Sequence, residues 1–160
     1  MFSFKANDPK SKRQLRGPPQ GSPVPSGTKE HILIVDDEKW IVHIGQEMLR
    51  KLGYQVTGCA NGMEALEAVR QQPERFDLVI TDFIMPGMNG VELAQELSRL
   101  HPGLPVILYT AIDQAISREI AKKAGIVDYL IKPLRFAELH QAIRRVLDAR
   151  LPAAKASNIR

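Results

Sequence analysis

Five times along this chain a short apolar run gives way to a stretch with helical spacing. That alternation restricts the fold more than any other feature. The runs are Ile32-Leu33-Ile34-Val35, Tyr54 to Cys59, Asp77 to Thr81, Pro105-Val106-Ile107-Leu108-Tyr109, and Asp128-Tyr129-Leu130-Ile131. A continuous apolar run of four or five residues suits a strand buried on both faces. Between the runs, Ile41, Ile44, Met48, Leu49 and Leu52 recur at helical spacing, stopped by Gly53. Asn61 is positioned to cap a helix carrying Ala65, Leu66 and Val69, which Pro73 limits. A helix over residues 90–100 carries Val91, Ala94, Leu97 and Leu100. The next, with Asp113 as its expected cap, carries Ile116, Ile120 and Ala124. The last carries Phe136, Leu139, Ile143, Val146 and Leu147. A parallel crossover needs a helix, so the pattern predicts an α/β fold: a five-stranded parallel sheet with helices on both faces, doubly wound.

At 160 residues the chain has room for one domain of ordinary size. Its net charge of +4 is unevenly placed: +5 in residues 1–29, −3 in residues 30–150 and +2 in residues 151–160. The predicted core is mildly acidic, unlike the basic face of a nucleic-acid binder. Residues 1–29 hold five of the eleven prolines and almost no apolar periodicity. They read as a disordered basic Pro/Gly-rich tail or linker, because such a segment cannot bury enough surface to offset its ordering entropy. Residues 30–150 read as the folded domain and residues 151–160 as a flexible C-terminal tail. The single cysteine, Cys59, reads as a small buried hydrophobe and permits no intrachain disulfide. No run of about 18 apolar residues and no secretory h-region is present. A cytoplasmic protein without a membrane span is the expectation.

In a parallel sheet the carboxyl ends of the strands line one edge, where ligands bind. Four predicted strands end there in polar groups: Asp36-Asp37 on the first, Asp82 on the third, Thr110 on the fourth and Lys132 on the fifth. Taken singly, an acid after a strand is often a helix cap, and a Lys before Pro is usually a solvated side chain. Convergence of four is harder to dismiss. Three gathered carboxylates repel one another and need positive charge among them. A hard divalent cation such as Mg²⁺ accepts a few carboxylates and keeps several waters. Lys132 supplies a second positive charge and Thr110 a hydroxyl donor. Together these groups form a cradle for a multi-oxygen anion such as phosphoryl, with Asp82, the solitary carboxylate, as nucleophile.

With these residues in place, the sequence resembles the receiver domains of response regulators in two-component regulatory systems, the chemotaxis-regulator-like fold. The resemblance rests on Asp36-Asp37-Glu38, Asp82 followed by Met85-Pro86-Gly87, Gly90, Thr110-Ala111 and Lys132-Pro133, and covers residues 31–148. It implies the flavodoxin-like strand order 2-1-3-4-5. It implies that Asp82 accepts a phosphoryl group from a sensor histidine kinase or phosphotransfer protein, becoming 4-aspartylphosphate. Asp37, Asp82 and the backbone carbonyl of Ile84 would bind Mg²⁺ directly, and Asp36 through water. Lys132, with a cis bond to Pro133, would pair with the phosphoryl oxygens. Thr110 would swing toward them, and Tyr129 would turn inward behind it. The face formed by the fourth helix, fifth strand and fifth helix would then be reshaped for a downstream protein partner. Phosphorylation adds about −1.5 to −2 charges. Charge-assisted bonds to Thr110 and Lys132 could supply a large part of the roughly 5.5 kcal/mol that a full population switch requires.

The expected protein is therefore a regulator in phosphorelay signal transduction. It is not a metabolic enzyme; its own phosphorylation and slow autodephosphorylation are its chemistry. Ile84 and Ile112, each two residues past a site residue, are expected to overhang the phosphoryl group and slow its hydrolysis. Only about ten residues follow the last predicted helix, so output is expected through a partner or by passing phosphate onward, without a DNA-binding domain. Homodimerisation on phosphorylation stays open. One alternative is the detached receiver of a hybrid histidine kinase, serving as a phosphate shuttle or sink. An Asp-nucleophile phosphatase would place two acids at alternate positions after the first strand, whereas these are adjacent. A nucleotide or flavin binder would need a phosphate loop after Val35. His31, His43, His101 and His140 lack metal-ligand spacing and read as structural or exposed. Trp40 reads as a packing residue.

Overall fold

The computed structural model describes residues 29–111 and 116–156, with side chains as far as Arg150. The strands are β1 (His31–Val35), β2 (Gln55–Cys59), β3 (Leu78–Asp82), β4 (Val106–Thr110) and β5 (Ile126–Ile131). The helices are α1 (Lys39–Lys51), α2 (Gly62–Gln71), α3 (Gly90–Leu100), α4 (Arg118–Lys123) and α5 (Phe136–Ala156), with one 3₁₀ turn at Pro73–Arg75. All strand pairs are parallel, in the order β2-β1-β3-β4-β5. The predicted fold class and strand order are those observed.

Alternate residues of each strand point to opposite faces, and each face has its own core. Leu33, Val35, Val79, Val106 and Leu108 pack with α2, α3 and α4. Ile32, Leu78, Ile80, Ile107 and Tyr109 pack with α1 and α5. Every residue of β1, β3 and β4 is buried, whereas the edge strand β5 exposes Val127, Tyr129 and Ile131. Each fully buried Ile or Leu contributes about 1.5–3 kcal/mol, so these three central strands hold the site rigid.

Helix boundaries follow local chemistry. Asn61 accepts the Glu64 N–H at 2.8 Å and starts α2. Asn89 and Glu92 form a reciprocal capping box that starts α3. Gly90 then lets α3 approach the sheet: a Cβ there would stand 2.3 Å from the Asp82 carbonyl oxygen. For α4 the expected cap, Asp113, lies outside the described residues. The cap is Ser117, whose Oγ accepts the Ile120 N–H at 3.3 Å. The last helix runs as far as Ala156. Residues 1–28 and 157–160 lie outside the described residues.

The apolar stripe read in sequence for α1 is buried in part: Leu49, and Leu52 just past the helix, are buried, Ile41 and Met48 pack partly buried against the core, and Ile44 falls outside it. Val42, Gly45 and Leu49 are buried, while Ile44 is 48% exposed. The cause is Gly45, where a Cβ would stand 2.3 Å from Ile34 Cδ1. The helix therefore lies with its smallest residue against β1. Ile41, Ile44 and Met48 are left lining an open apolar hollow of about 420 Å³ with Trp40, Tyr109 and Leu134.

Candidate functional site

The carboxyl edge of the sheet gathers the groups that the sequence places at strand ends. Asp36 follows β1 and is fully buried. Asp82 ends β3 and is 5% exposed, and Thr110 ends β4 and is also buried. Asp37 is exposed beside them. Asp36, Asp37 and Asp82 each offer a carboxylate oxygen within 4.8 Å of the others. Such a set of hard oxygen donors, partly buried and partly open to solvent, fits a small divalent cation. Lys132 reaches in from the end of β5. Its Nζ stands 3.1 Å from Asp82 Oδ2 and 3.6 Å from Asp36 Oδ2.

Backbone contacts fix these positions. The Lys132 N–H donates to the Thr110 carbonyl at 2.8 Å, tying the two strand ends together. The Lys132–Pro133 peptide bond is cis. Gly90 donates to the Phe83 carbonyl at 2.9 Å, holding the chain just past Asp82 against the start of α3. Asp36 Oδ1 accepts the Glu38 N–H at 2.7 Å. Glu38 occupies the N-cap position of α1 without a capping bond from its side chain.

Burial pushes the Asp82 carboxyl above its ordinary range. Lys132 and the Ile84 N–H oppose that shift, while Asp36 adds to it. Three carboxylates here face one ammonium, so a cation or the removal of a carboxylate relieves their repulsion.

The remaining expected residues are more dispersed. Ile84 is 59% exposed at the rim, and Ile112 lies outside the described residues. Tyr129 is exposed on the edge strand β5, where it pairs in register with Leu108, two residues before Thr110. Trp40 corrects the sequence reading. It is 61% exposed instead of packed, and its Nε1–H donates to Glu38 Oε2 at 2.8 Å. It is exposed because the glycine face of α1 takes the sheet. Cys59 is buried, and desolvation pushes its thiol to about 11.

One site residue was missed in the sequence. Tyr109 is fully buried, its hydroxyl donates to Asp36 Oδ2, and Lys132 Nζ lies 4.9 Å from its ring centroid. Burial and the Asp36 charge drive its phenol far above the ordinary range, so it acts as a donor. Within an apolar run a Tyr reads as core, and nothing local signals a partner 73 residues away.

Comparison with known proteins adds an independent line. The response regulator receiver domain family matches residues 32–144. Transcriptional regulatory protein ZraR of Klebsiella oxytoca is 40% identical over 122 residues, covering 76% of this chain and 27% of the relative. Two-component response regulator ARR14 of Arabidopsis thaliana is 40% identical over 123 residues, covering 77% and 32%. The chain thus spans about a third or less of these relatives' length. Among solved structures, a CheY-like receiver domain protein from Methanospirillum hungatei superposes with a TM-score of 0.71. It is 30% identical, over 79% of this chain and 99% of that one. The receiver domain of sensor histidine kinase PA1611 from Pseudomonas aeruginosa, described with magnesium in its active site cleft, gives a TM-score of 0.66. It is 31% identical, over 76% of this chain and 99% of that one.

Proposed function

This chain belongs to the response-regulator receiver family, and on that premise we propose that it is a phosphorylation-dependent switch with Asp82 as phosphoacceptor. Receiver domains are regulatory phosphoacceptor domains and bind Mg²⁺ at an acidic pocket. The observation that carries the reading is the approach of Lys132 Nζ to Asp82 Oδ2 at 3.1 Å, beside two further carboxylates. Asp36, Asp37, Asp82 and the Ile84 carbonyl are the proposed cation ligands, Asp36 through water. When bound, Mg²⁺ neutralises charge on the carboxylates and on the incoming phosphoryl oxygens.

In the proposed reaction an Asp82 carboxylate oxygen attacks the phosphorus of a phosphohistidine. The P–O bond forms as the P–N bond breaks, and the imidazole leaves with the electron pair. Lys132 pairs with the transferred oxygens, and Thr110 donates its hydroxyl to one of them. Movement of Thr110 makes room for Tyr129, whose exposed position on β5 is the starting state of the switch. The face of α4, β5 and α5 then meets a downstream partner. Residues 30–150 form the proposed receiver unit, with residues 1–29 as a basic linker. Ile84 at the rim hinders the attacking water and lengthens the signal.

A second reading, the receiver of a hybrid histidine kinase, is favoured by the likeness to the PA1611 receiver. Both readings share the phosphoacceptor chemistry. Incubation with Mg²⁺ and a small phosphodonor, followed by intact mass, is expected to give one added phosphoryl group. The group should be absent in Asp82→Asn; its persistence there would remove the assignment. Followed over time, the same assay is expected to give a shorter half-life in Ile84→Asn. Multiple turnovers of a phosphomonoester would instead favour a phosphatase.

A further inference from the structure

Tyr109 has no part in the reaction as described, yet one rigid side chain touches both the acid and the cation of the site. It lies opposite Asp82 in the β3–β4 register. Its hydroxyl donates to Asp36 Oδ2 and its ring face lies 4.9 Å from Lys132 Nζ. Asp36 Oδ1 already accepts the Glu38 N–H at 2.7 Å. The competition is therefore at Oδ2, where the Tyr109 hydroxyl and Lys132 Nζ, at 3.6 Å, both converge. Lys132 stands nearer to Asp82, at 3.1 Å.

We infer that Tyr109 is a positioning residue for phosphoryl acceptance: its hydroxyl satisfies Asp36 and its ring supports Lys132, so that the ammonium stands against Asp82. The inference rests on the phosphoacceptor reading of that residue. A fully buried carboxylate needs donors. With the hydroxyl gone, the nearest cation able to replace it is Lys132, which then moves toward Asp36 and away from Asp82. Asp36 becomes paired to Lys132 more tightly and less available to a cation. The ring adds a second, separable contribution, because an ammonium over an aromatic face is attracted to it. Phe keeps that face and loses the hydroxyl; Leu loses both. The outer side of the ring borders the apolar hollow against α1, so Phe also preserves the packing.

The test uses the full chain and Mg²⁺ alone as the first probe. Thermal unfolding across a Mg²⁺ series gives the half-saturating concentration for wild type, Tyr109→Phe and Tyr109→Leu. Ile107→Val, buried two residues earlier on the same face of β4, serves as the packing control. The half-saturating concentration is expected to rise on the order of tenfold in Tyr109→Phe, as is usual for loss of a group that orients a metal ligand. It should stay at the wild-type value in Ile107→Val. With a small phosphodonor, the rate of phosphoryl uptake is expected to fall in Tyr109→Phe and further in Tyr109→Leu. An unchanged Mg²⁺ requirement in Tyr109→Phe overturns the inference, as does an equal shift in Ile107→Val, which would assign the effect to packing. Should Tyr109→Leu fail to fold, Tyr109→Phe decides alone. Either failure leaves the phosphoacceptor reading standing, since that reading falls only if Asp82→Asn still takes up the group.

Discussion

At the amino edge of the sheet the polar groups close on one another. The His31 N–H donates to Asp77 Oδ2 at 2.8 Å, and His31 Nε2 lies 2.8 Å from Thr57 Oγ1. Arg75 Nε donates to His31 Nδ1 at 3.4 Å, and Arg150 donates to the Asp77 carbonyl at 2.7 Å. Phe76 covers the imidazole edge-on. At the carboxyl edge, three carboxylates meet Lys132, and burial holds Asp82 above its ordinary pKa. The same sheet thus ends in a satisfied network on one side and in excess negative charge on the other. Satisfied polar groups stabilise the fold; the uncompensated ones reserve a place for a cation and a transferred anion.

The sharpest way to break this comparison is to remove one charge from each edge. Lys132→Ala is expected to slow phosphoryl uptake by about a hundredfold or more, the usual cost of losing a group aimed at developing charge. Asp77→Ala should leave that rate unchanged. An equal loss in both, read by intact mass over time, would dissolve the distinction between the edges.

Stability should move the other way, by a smaller amount. Asp77→Ala strands the His31 N–H and is expected to cost about 1–2 kcal/mol in chemical denaturation. Without divalent cation, Asp82→Asn should cost nothing or stabilise by up to about 1 kcal/mol. The sign follows from the raised carboxyl pKa: the charged form is less favourable folded than unfolded, so neutralising it relieves the folded state.

Smallest is the response to acid at the amino edge. Burial, aided by Arg75 and opposed by Asp77, lowers the His31 pKa below 6.5. Below pH 6.5 the unfolded chain therefore takes up this proton before the folded one, and stability falls as pH drops toward the folded value. The contribution is expected at about 1 kcal/mol or less. It would be read as a shallower fall in stability between pH 7 and 5 in His31→Gln than in wild type.

The strand ends were legible because their chemistry sits on local pattern: an apolar run, then a polar residue, repeated four times. Asp36, Asp37, Asp82 and Lys132 come together for that reason, and Thr110 ends the strand beside them. What was illegible depends on distance or on absence. Tyr109 finds Asp36 across 73 residues, and periodicity carries no signal of that. The orientation of α1 turns on a missing side chain: Gly45 lets the helix lie close, so Ile44, a member of the apolar stripe, is left exposed. Trp40 is exposed for the same reason. At α4, both Asp113 and Ser117 are residue types that cap, and local sequence alone could not choose between them.

The strand order has a consequence in the order of synthesis. Asp36 and Asp37 leave the ribosome with β1, and β3 later brings Asp82 alongside them. The counter-charge, Lys132, directly follows β5, the last strand of this sheet in chain order and one of its edges. A nascent chain with β1 and β3 paired therefore carries an acid cluster without its cation. Closing the sheet is also an act of neutralisation, and the final strand is drawn in by an attraction that the first pairings lack.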